Sequence, residues 1–575
     1  MYLLVDAMGS QKKEFGGNNQ MKNVKRFICL LLAAVLVLGL VACGGKDSSN
    51  DQTEAPDTQN NQATNNNESS ENESAEKKYE EKVTITYACP QVVEGFDFTE
   101  GDDYVKWMSE KFNYVFETTN IPWGEWHSML STWIMAQNMP DVAIYNYGEG
   151  THADAVNFVE QGLIKRLPDD WKTRWPKVAE VYGVTTLGPM LEELFEGTYF
   201  IPRARFFYNL PGDPLADHWS LWVRTDWIKA VGKEVKDHYT IPEVLEIARL
   251  IKEQDPDNLG SNLIPISMTA GNAARFFLEA NSTHWDTFYK DESGQYVWGA
   301  TAEQTLEGLK LWYQAYKEGL LDPEFYLLQH EQDLEKFQTL GIAGVSYLGG
   351  QTADVWNYRE TFMNDTGNDP DDMKYATLLG TDGNYHQRDL INFWGAIIFS
   401  PSVEDKVFER WMDVMEFQCS EDGYVQTAMG LKGVDWDRDE NGNIISLLDE
   451  DVLLVGPPGE AKYPSLGHVV GSVILWDDLA FDNPNIPEKY REESKALYKN
   501  RYDLSTPETF TKVDWTVWTH GTENMRRARS IDYPTEYANL ITTATSEDHL
   551  VELYNQWIES QMSIIQPVLD ELNSK

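Results

Sequence analysis

Apolar and polar positions first fall into register at Val83, Ile85 and Tyr87, with Thr84, Thr86 and Ala88 between them. This alternation with period two predicts a strand. Tyr104, Trp107, Met108 and Phe112 then recur at helical spacing, and residues 113–119 read as a second strand. Trp126, Met129, Leu130, Trp133 and Ile134 fall at i, i+3, i+4, i+7 and i+8, the apolar stripe of an amphipathic helix. Met139-Pro140-Asp141 leads into Val142-Ala143-Ile144-Tyr145, a short buried strand. Strand, helix, strand, helix, strand predicts an α/β layer on a largely parallel sheet. A further helix ends near Gly162.

The pattern continues with a turn and strand over 195–202, and a strand at Leu221-Trp222-Val223-Arg224 that enters a helix at Thr225-Asp226-Trp227. Thr240-Ile241-Pro242-Glu243 is a capping box, opening a helix with Val244, Leu245, Ala248 and Ile251 inward. A helix over 302–318 carries Leu306, Leu309, Tyr313 and Tyr316 on one face, and Gly319 closes it. Residues 341–347 and 392–400 read as Gly-punctuated strands, and 403–417 and 545–572 as helices. No fixed-period repeat is present.

The N-terminal region obeys a different pattern. Lys22, Lys25 and Arg26 precede an apolar run of 16 residues from Phe27 to Ala42, which ends at Leu40-Val41-Ala42-Cys43. A spanning helix needs about 20 residues, so this length suits a secretory signal. Basic residues, apolar run and cysteine stand in the order of a bacterial lipoprotein signal, with Cys43 as the lipidated residue of the mature chain. Met21 is the expected start, and residues 1–42 are the expected signal segment. Lipidation places the protein on the outer face of the cell membrane, each buried methylene of the acyl chains contributing about 0.8 kcal/mol. Residues 44–78 contain no Leu, Ile, Val, Met or aromatic residue. Such a composition does not offset its ordering entropy, so 43–82 is expected to be a disordered tether. Its coil would span roughly 30–35 Å.

Composition narrows what the folded part binds. The chain has 575 residues and a formal net charge of −46, with 47 Lys+Arg against 93 Asp+Glu. So acidic a chain excludes nucleic acid, whose phosphates need Lys and Arg. It also excludes recognition of anionic lipid by the folded part, and it favours a neutral or cationic ligand. Of the 4 cysteines, Cys29 leaves with the signal and Cys43 takes the lipid. Cys89 and Cys419 remain, too few for a disulfide framework or a zinc site, and are expected to be two separate buried thiols. The 20 Trp, 28 Tyr and 23 Phe make the chain rich in aromatics.

Several short motifs recur in a telling order. Met139-Pro140-Asp141-Val142 comes first, then Gln161-Gly162-Leu163-Ile164-Lys165-Arg166-Leu167. Trp222-Val223-Arg224-Thr225-Asp226-Trp227 and Ile241-Pro242-Glu243-Val244-Leu245 follow. Asp255-Pro256-Asp257, Ile264-Pro265-Ile266 and Gly430-Leu431-Lys432-Gly433-Val434-Asp435-Trp436 complete the series. With these motifs behind a lipoprotein signal, residues 83–575 resemble the lipoprotein-type extracellular solute-binding proteins, family 1, of carbohydrate ABC importers. The resemblance implies an α/β, two-lobe clamp of the periplasmic-binding-protein type II kind, with ligand in the cleft between lobes. It implies a first lobe of 83–204 and 396–455 and a second of 205–395 and 456–575. The crossings then lie near Ile201-Pro202 and Phe393-Trp394-Gly395, and closure is by hinge motion. It further implies a monomer without cofactor or catalytic residue, which captures an oligosaccharide and delivers it to the transmembrane subunits of a permease. Family members often carry a calcium loop near Asp-Pro-Asp. Asp255 and Asp257 fit that pattern, but Leu259 stands where the next ligand belongs and the loop is one residue short, so this metal site is a weak candidate.

A sugar site needs aromatic rings for the apolar ring face and planar polar groups for the hydroxyls. Tyr145 and Asn146 end a parallel strand, where α/β sheets bind ligands. Trp123 and Trp126 begin a helix after a strand. Arg203, Arg205 and Tyr208 follow the first expected crossing. Tyr347, Trp356 and Trp394 lie near the second, and Trp436, Trp518 and His520 in late loops. Tyr145 and Trp394 are the leading stacking candidates. Asp437, Asp439, Asn441, Gly442 and Asn443 copy half of an EF-hand loop, but Leu448 stands at its twelfth position, so a β-turn at Asn441-Gly442 is expected. A surface glycoside hydrolase with Asp435 and Asp437 as its carboxylate pair, and a glycan-binding surface module without a permease, are the alternative readings. No Gly-x-Ser-x-Gly, His-Glu-x-x-His or Gly-x-x-x-x-Gly-Lys motif supports serine, metal or nucleotide chemistry.

Overall fold

The computed structural model describes residues 79–574 apart from 91–95, 213–214, 330–331, 351–353, 450–451, 456–457 and 467–472, and without the side chains of Trp123 and Trp476. The signal, Cys43 and most of the tether lie outside the described residues. Two five-stranded sheets are built from β1 (Val83–Cys89), β2 (Tyr114–Asn120), β3 (Val142–Tyr145), β4 (Ile201–Pro202), β5 (Trp219–Arg224), β6 (His238–Thr240), β7 (Ile264–Ile266), β8 (Ala343–Gly349), β9 (Met373–Leu379) and β10 (Ala396–Phe399).

The first sheet has the order β2-β1-β3-β10-β4. β1 runs parallel to β2 and β3, as the alternating pattern predicts. β10 is antiparallel to both β3 and β4. The helix Asp103–Phe112 between β1 and β2 begins at Asp102, whose carboxylate accepts from Val105 N at 3.0 Å, and ends at Asn113 in the left-handed region, φ 48°. The aspartate of Met139-Pro140-Asp141 has a structural task. Its carboxylate accepts from Thr86 N at 2.9 Å and Thr86 Oγ1 at 2.7 Å, which pins the entry of β3 beside β1.

The second sheet has the order β6-β9-β5-β8-β7. β5 runs antiparallel to both its neighbours, while β8 is parallel to β7 and β9 to β6. The Trp-Val-Arg-Thr-Asp-Trp motif closes β5. Arg224 is buried, forks onto Asp226 at 2.8 and 2.5 Å, donates to Gly341 O at 3.1 Å and lies over the Trp227 ring at 4.5 Å. The Thr240 capping box forms: its side chain accepts from Glu243 N, and Glu243 reaches back to Thr240 N at 2.9 Å. The helices Tyr533–Thr543 and Glu547–Asn573 pack into the same apolar core as β5 and the helix Ile241–Gln254.

Three chain segments run side by side between the sheets. Beyond β4, Arg203 N donates to Gly395 O at 3.1 Å and Trp394 N to Arg203 O at 3.0 Å. Ala204 N donates to Val473 O at 2.7 Å and Leu475 N to Ala204 O at 2.8 Å. The Asn392 amide brackets Phe206, accepting from its N at 2.9 Å and donating to its O at 2.8 Å. The expected strand over 392–400 is shorter than its apolar pattern. Ile391 (φ 58°) and Gly395 (φ 66°) lie in the left-handed region, so the strand begins at Ala396. A Cβ at Gly395 would approach Ile144 Cγ2 to 2.9 Å, so this close turn needs glycine.

Cys89 and Cys419 are buried as two separate thiols, not joined in a disulfide. Asp439 Oδ1 accepts from Asn441 N and Asn443 N at 2.8 and 2.9 Å inside an antiparallel hairpin, Trp436–Arg438 with Ile444–Ser446, and Gly442 has φ 87°. This is the expected β-turn. The Asp-Pro-Asp loop uses its carboxylates differently from a metal site. Asp255 accepts from Leu259 N and Gly260 N, both at 2.8 Å. Asp257 accepts from Trp227 Nε1 at 2.8 Å and pairs with Arg224 at 3.2 Å. Among the described residues, no group of three or more His, Cys, Asp and Glu is placed to hold a metal ion, and no helix is long and apolar enough to cross a membrane.

Candidate functional site

The three adjacent segments cross between the two sheets, the place that lies under the cleft of a two-lobe clamp. Trp394 is half-buried there, supported on one side by Trp126, ring centroids 5.0 Å apart, and approached by the Arg203 guanidinium at 5.4 Å. Trp126 is itself buried and donates from Nε1 to Ile144 O at 2.7 Å, so it carries Trp394 instead of reaching ligand. Arg203 is buried, and burial lowers its pKa.

Two residues further along, Arg205 is 4% exposed and donates from Nε to Asp477 at 2.9 Å. Its Nη1 lies 3.2 Å from His218 Nδ1, which also lies 3.1 Å from Asp217. One imidazole nitrogen serves one of these partners at a time. Desolvation, then the charge of Arg205, lower the pKa of His218, so it is neutral at pH 7. Burial acts to raise the Asp217 carboxyl, but His218, Arg275 and the Trp219 N–H outweigh it and hold the group well below the usual carboxylate range.

This network leads to an aromatic platform. Trp219 opens β5 and Tyr347 lies near the carboxyl end of β8, on the same face, with stacked rings at 6.2 Å and 25°. Arg275 lies over Trp219 at 4.6 Å. Its guanidinium is held loosely, by Asp217 at 3.4 Å and Glu279 at 3.6 Å. The side chain is 36% exposed, yet desolvation is the largest influence on its pKa, with Glu279 and Asp217 next. Arg388, 29% exposed, ion-pairs with Asp286 and donates from Nε to Thr283 O. It also feels the charge of Glu149, which belongs to the opposite wall.

At one end the walls touch. Tyr147 stacks on Trp518, with centroids 5.7 Å apart and planes 1° from parallel, and Arg529 pairs with Glu149 at 3.2 Å. His152 lies against both rings and 3.0 Å from the Tyr147 hydroxyl. Burial, with the charge of Arg529, pushes its pKa down to about 4, so the contact is made by a neutral imidazole.

Several expected site residues lie elsewhere. Tyr145 has 0% exposure: its ring packs on Tyr147, Phe158 and Phe200, and its hydroxyl donates to Thr151 O at 3.1 Å. Tyr145 does end the strand, but a four-residue strand buried on both faces keeps its last ring in the core. Asn146 beside it is half-buried. Trp436 is 0% exposed and donates to Gly430 O at 3.0 Å, bracing its hairpin. Trp356 stacks on Tyr490 at 5.0 Å, against the core cluster of Trp222 and Phe362. Tyr208 stacks on Tyr424 at 4.6 Å and donates to Cys419 O at 3.1 Å. His520 is 5% exposed and lies 2.8 Å from Glu571. Trp518 is buried under Tyr147. The Trp123 side chain lies outside what is described. Asp435, proposed partner of a carboxylate pair, is fully buried against Lys462 and accepts from Leu431 N at 2.7 Å.

Trp219, Asp217, Arg275, Arg388, Asp286 and Glu149 escaped the sequence analysis. Extending the β5 pattern back by two residues would have reached Trp219. Arg275 had no local signal. Two recesses of about 280 and 340 Å³ lie apart from this network. The first is walled by Arg166, Trp171 and Glu192, the second by Arg359, Lys374 and Glu493. Their charges pair locally, as Arg166–Asp169 at 2.7 Å and Arg359–Glu493 at 2.8 Å.

No protein-family model matches the chain. Lipoprotein LipO of Bacillus subtilis (strain 168) is 26% identical over 111 residues, 18% of this chain and 22% of that protein, so the match spans about a fifth of the relative's length. Solved structures match far more of the chain. An HMO-binding, ABC-transporter-associated solute-binding protein from Bifidobacterium longum infantis covers 86% of this chain and 100% of its own, at TM-score 0.57 and 14% identity. The ABC-transporter substrate-binding protein FusA of S. pneumoniae, in complex with kestose, covers 85% and 99%, at TM-score 0.58 and 16% identity. The N-glycan transport solute-binding protein NgtS of Streptococcus pneumoniae covers 86% and 100%, at TM-score 0.54 and 14% identity. The chain has the fold of the ABC-transporter solute-binding proteins, an α/β two-lobe clamp.

Proposed function

We propose that this protein is the carbohydrate-binding component of an ABC importer, which takes an oligosaccharide between its two sheets and presents it to the permease. The observation that carries this reading is the half-buried Trp219–Tyr347 pair beside Arg275. A sugar ring lays its apolar face on such rings, and its hydroxyls bond to guanidinium and carboxylate groups. Trp394 serves the same purpose on the floor. The neighbours' named ligands, HMO, kestose and N-glycan, agree in class. Residues 83–204 and 396–455 form the first lobe in this reading, and 205–395 and 456–575 the second. The protein binds its glycan without cleaving it, acts as a monomer, and is held outside the cell by lipid on Cys43.

Calorimetry on the purified full-length protein with a glycan panel tests the binding reading. Trp219→Ala removes a contact of roughly 50–100 Å², about 1–2.5 kcal/mol at ~25 cal/mol per Å². The expected weakening is about five- to seventyfold, with ligand-free melting near that of the parent. A parent protein that binds no glycan in the panel refutes the reading. Anchoring is tested separately: Cys43→Ala is expected to move the protein from the membrane to the soluble fraction with affinity unchanged. Retention in the membrane would show that Cys43 is not the anchor.

A further inference from the structure

We propose that the interlobe site selects neutral oligosaccharides against acidic ones, and that Asp286 and Glu149 set this discrimination. The proposal rests on the carbohydrate reading above and adds the charge class of the ligand. The fold does not decide that class, since one neighbour is alginate-binding, hence a receptor for a polyuronate, and another is seen with kestose, a neutral sugar.

Arg388, Arg275, Arg529 and Arg526 each already have a protein carboxylate within reach. Arg388 uses Nη2 on Asp286 and Nε on Thr283 O, which occupies its side-on edge. Arg275 lies flat over Trp219, between Asp217 at 3.4 Å and Glu279 at 3.6 Å. On the opposite wall Glu149 holds Arg529 at 3.2 Å, and Asp154 lies 3.7 Å from Arg526. With Glu523 at 2.9 Å from Arg526, these four arginines face six carboxylates. A ligand carboxylate would enter against an excess of its own sign, and would have to take an arginine from its partner to be paired.

A hydroxyl meets no such cost. It donates and accepts together, and paired guanidinium and carboxylate groups offer both in adjacent places. The −46 charge of the whole chain acts in the same direction on approach, repelling anions. Asp286 and Glu149 are the discriminating pair because each is a partly exposed carboxylate that holds an arginine, Asp286 pairing with Arg388 and Glu149 with Arg529 at 3.2 Å. Their side chains are 27% and 37% exposed, within reach of an occupant.

The test is calorimetry on the full-length protein at low and high salt, with size-matched neutral and uronate tri- to pentasaccharides. The parent protein is expected to bind at least one neutral oligosaccharide, and to bind its uronate counterpart at least tenfold more weakly. Asp286→Asn and, independently, Glu149→Gln are each expected to narrow that ratio about tenfold at low salt. This is the size of one charge acting over some 10 Å at an effective dielectric of about 20. The narrowing is expected to shrink at high salt, where exposed charges are screened. Two variants are used so that failure of one to fold, seen by melting, leaves the other as the test. A uronate that binds the parent as tightly as its neutral counterpart overturns the proposal. Neutral selectivity that survives both substitutions unchanged overturns the role of Asp286 and Glu149. Absence of binding by every glycan overturns the carbohydrate reading, and this proposal with it.

Discussion

Asp477→Ala is expected to lose about 3–5 kcal/mol of folding stability, the cost of leaving a buried charge without its partner. The Arg205 and Asp477 side chains are 4% and 2% exposed and meet at 2.9 Å. Without the carboxylate, the guanidinium keeps a single neutral contact, Nη1 to His218 at 3.2 Å, and its Nη2 has no hydrogen-bond partner. Water does not reach it, so the desolvation of the charge stands uncompensated. The site magnifies the loss, because Arg205 follows the first crossing segment and Asp477 the third, and Ala204 bonds to both Val473 and Leu475. Replacing both members, as Arg205→Met with Asp477→Leu, is expected to recover most of the stability, since a buried ion pair and an apolar pair of similar volume are close in free energy. Denaturant midpoints of the two variants and the parent measure this. A single variant within about 1 kcal/mol of the parent would mean that solvent reaches this junction.

Tyr145→Ala is expected to cost about 3–5 kcal/mol, as loss of a large buried ring does, and to leave affinity per folded molecule unchanged. The ring is in edge contact with Tyr147 and Phe158, at 5.7 and 6.0 Å, and tilts against Phe200 at 6.0 Å. Its removal opens a cavity beneath the wall of the gap without touching the gap. Melting of the ligand-free protein and calorimetry with a bound glycan separate the two effects. Weaker binding at an unchanged melting temperature would place the ring at the ligand, as its strand-end position first implied.

The contrast between Tyr145 and Trp219 shows where local pattern runs out. Both lie at the end of a strand and both are aromatic. Spacing along one strand does not tell which of them another part of the chain covers. Phe158 and Phe200 arrive on Tyr145 from later segments, while Trp219, beside His218, Tyr347 and Arg275, keeps part of its surface. Asp257 teaches the same point for charge. Its Asp-Pro-Asp setting resembles a calcium loop, but Arg224 reaches it from 33 residues away, and a guanidinium with Trp227 takes the carboxylate.

By itself the sequence determined the features whose physics is local or cumulative. These are the alternation that makes β1, the stripe of the helix Trp126–Met135, the Thr240 capping box, the turn at Asn441-Gly442 and the strongly acidic charge. Each depends on neighbours within one or two turns of chain, or on a sum over all residues. The tertiary structure decided the rest. It set the side-by-side pairing of residues 203–204, 394–395 and 473–475, the burial of Tyr145 and Trp436, and the meeting of Asp217, Arg275, Arg388 and Glu149. The free energy of a buried ring or a paired charge depends on what lies a few ångströms away in space, and in this chain those partners are tens to hundreds of residues away in sequence.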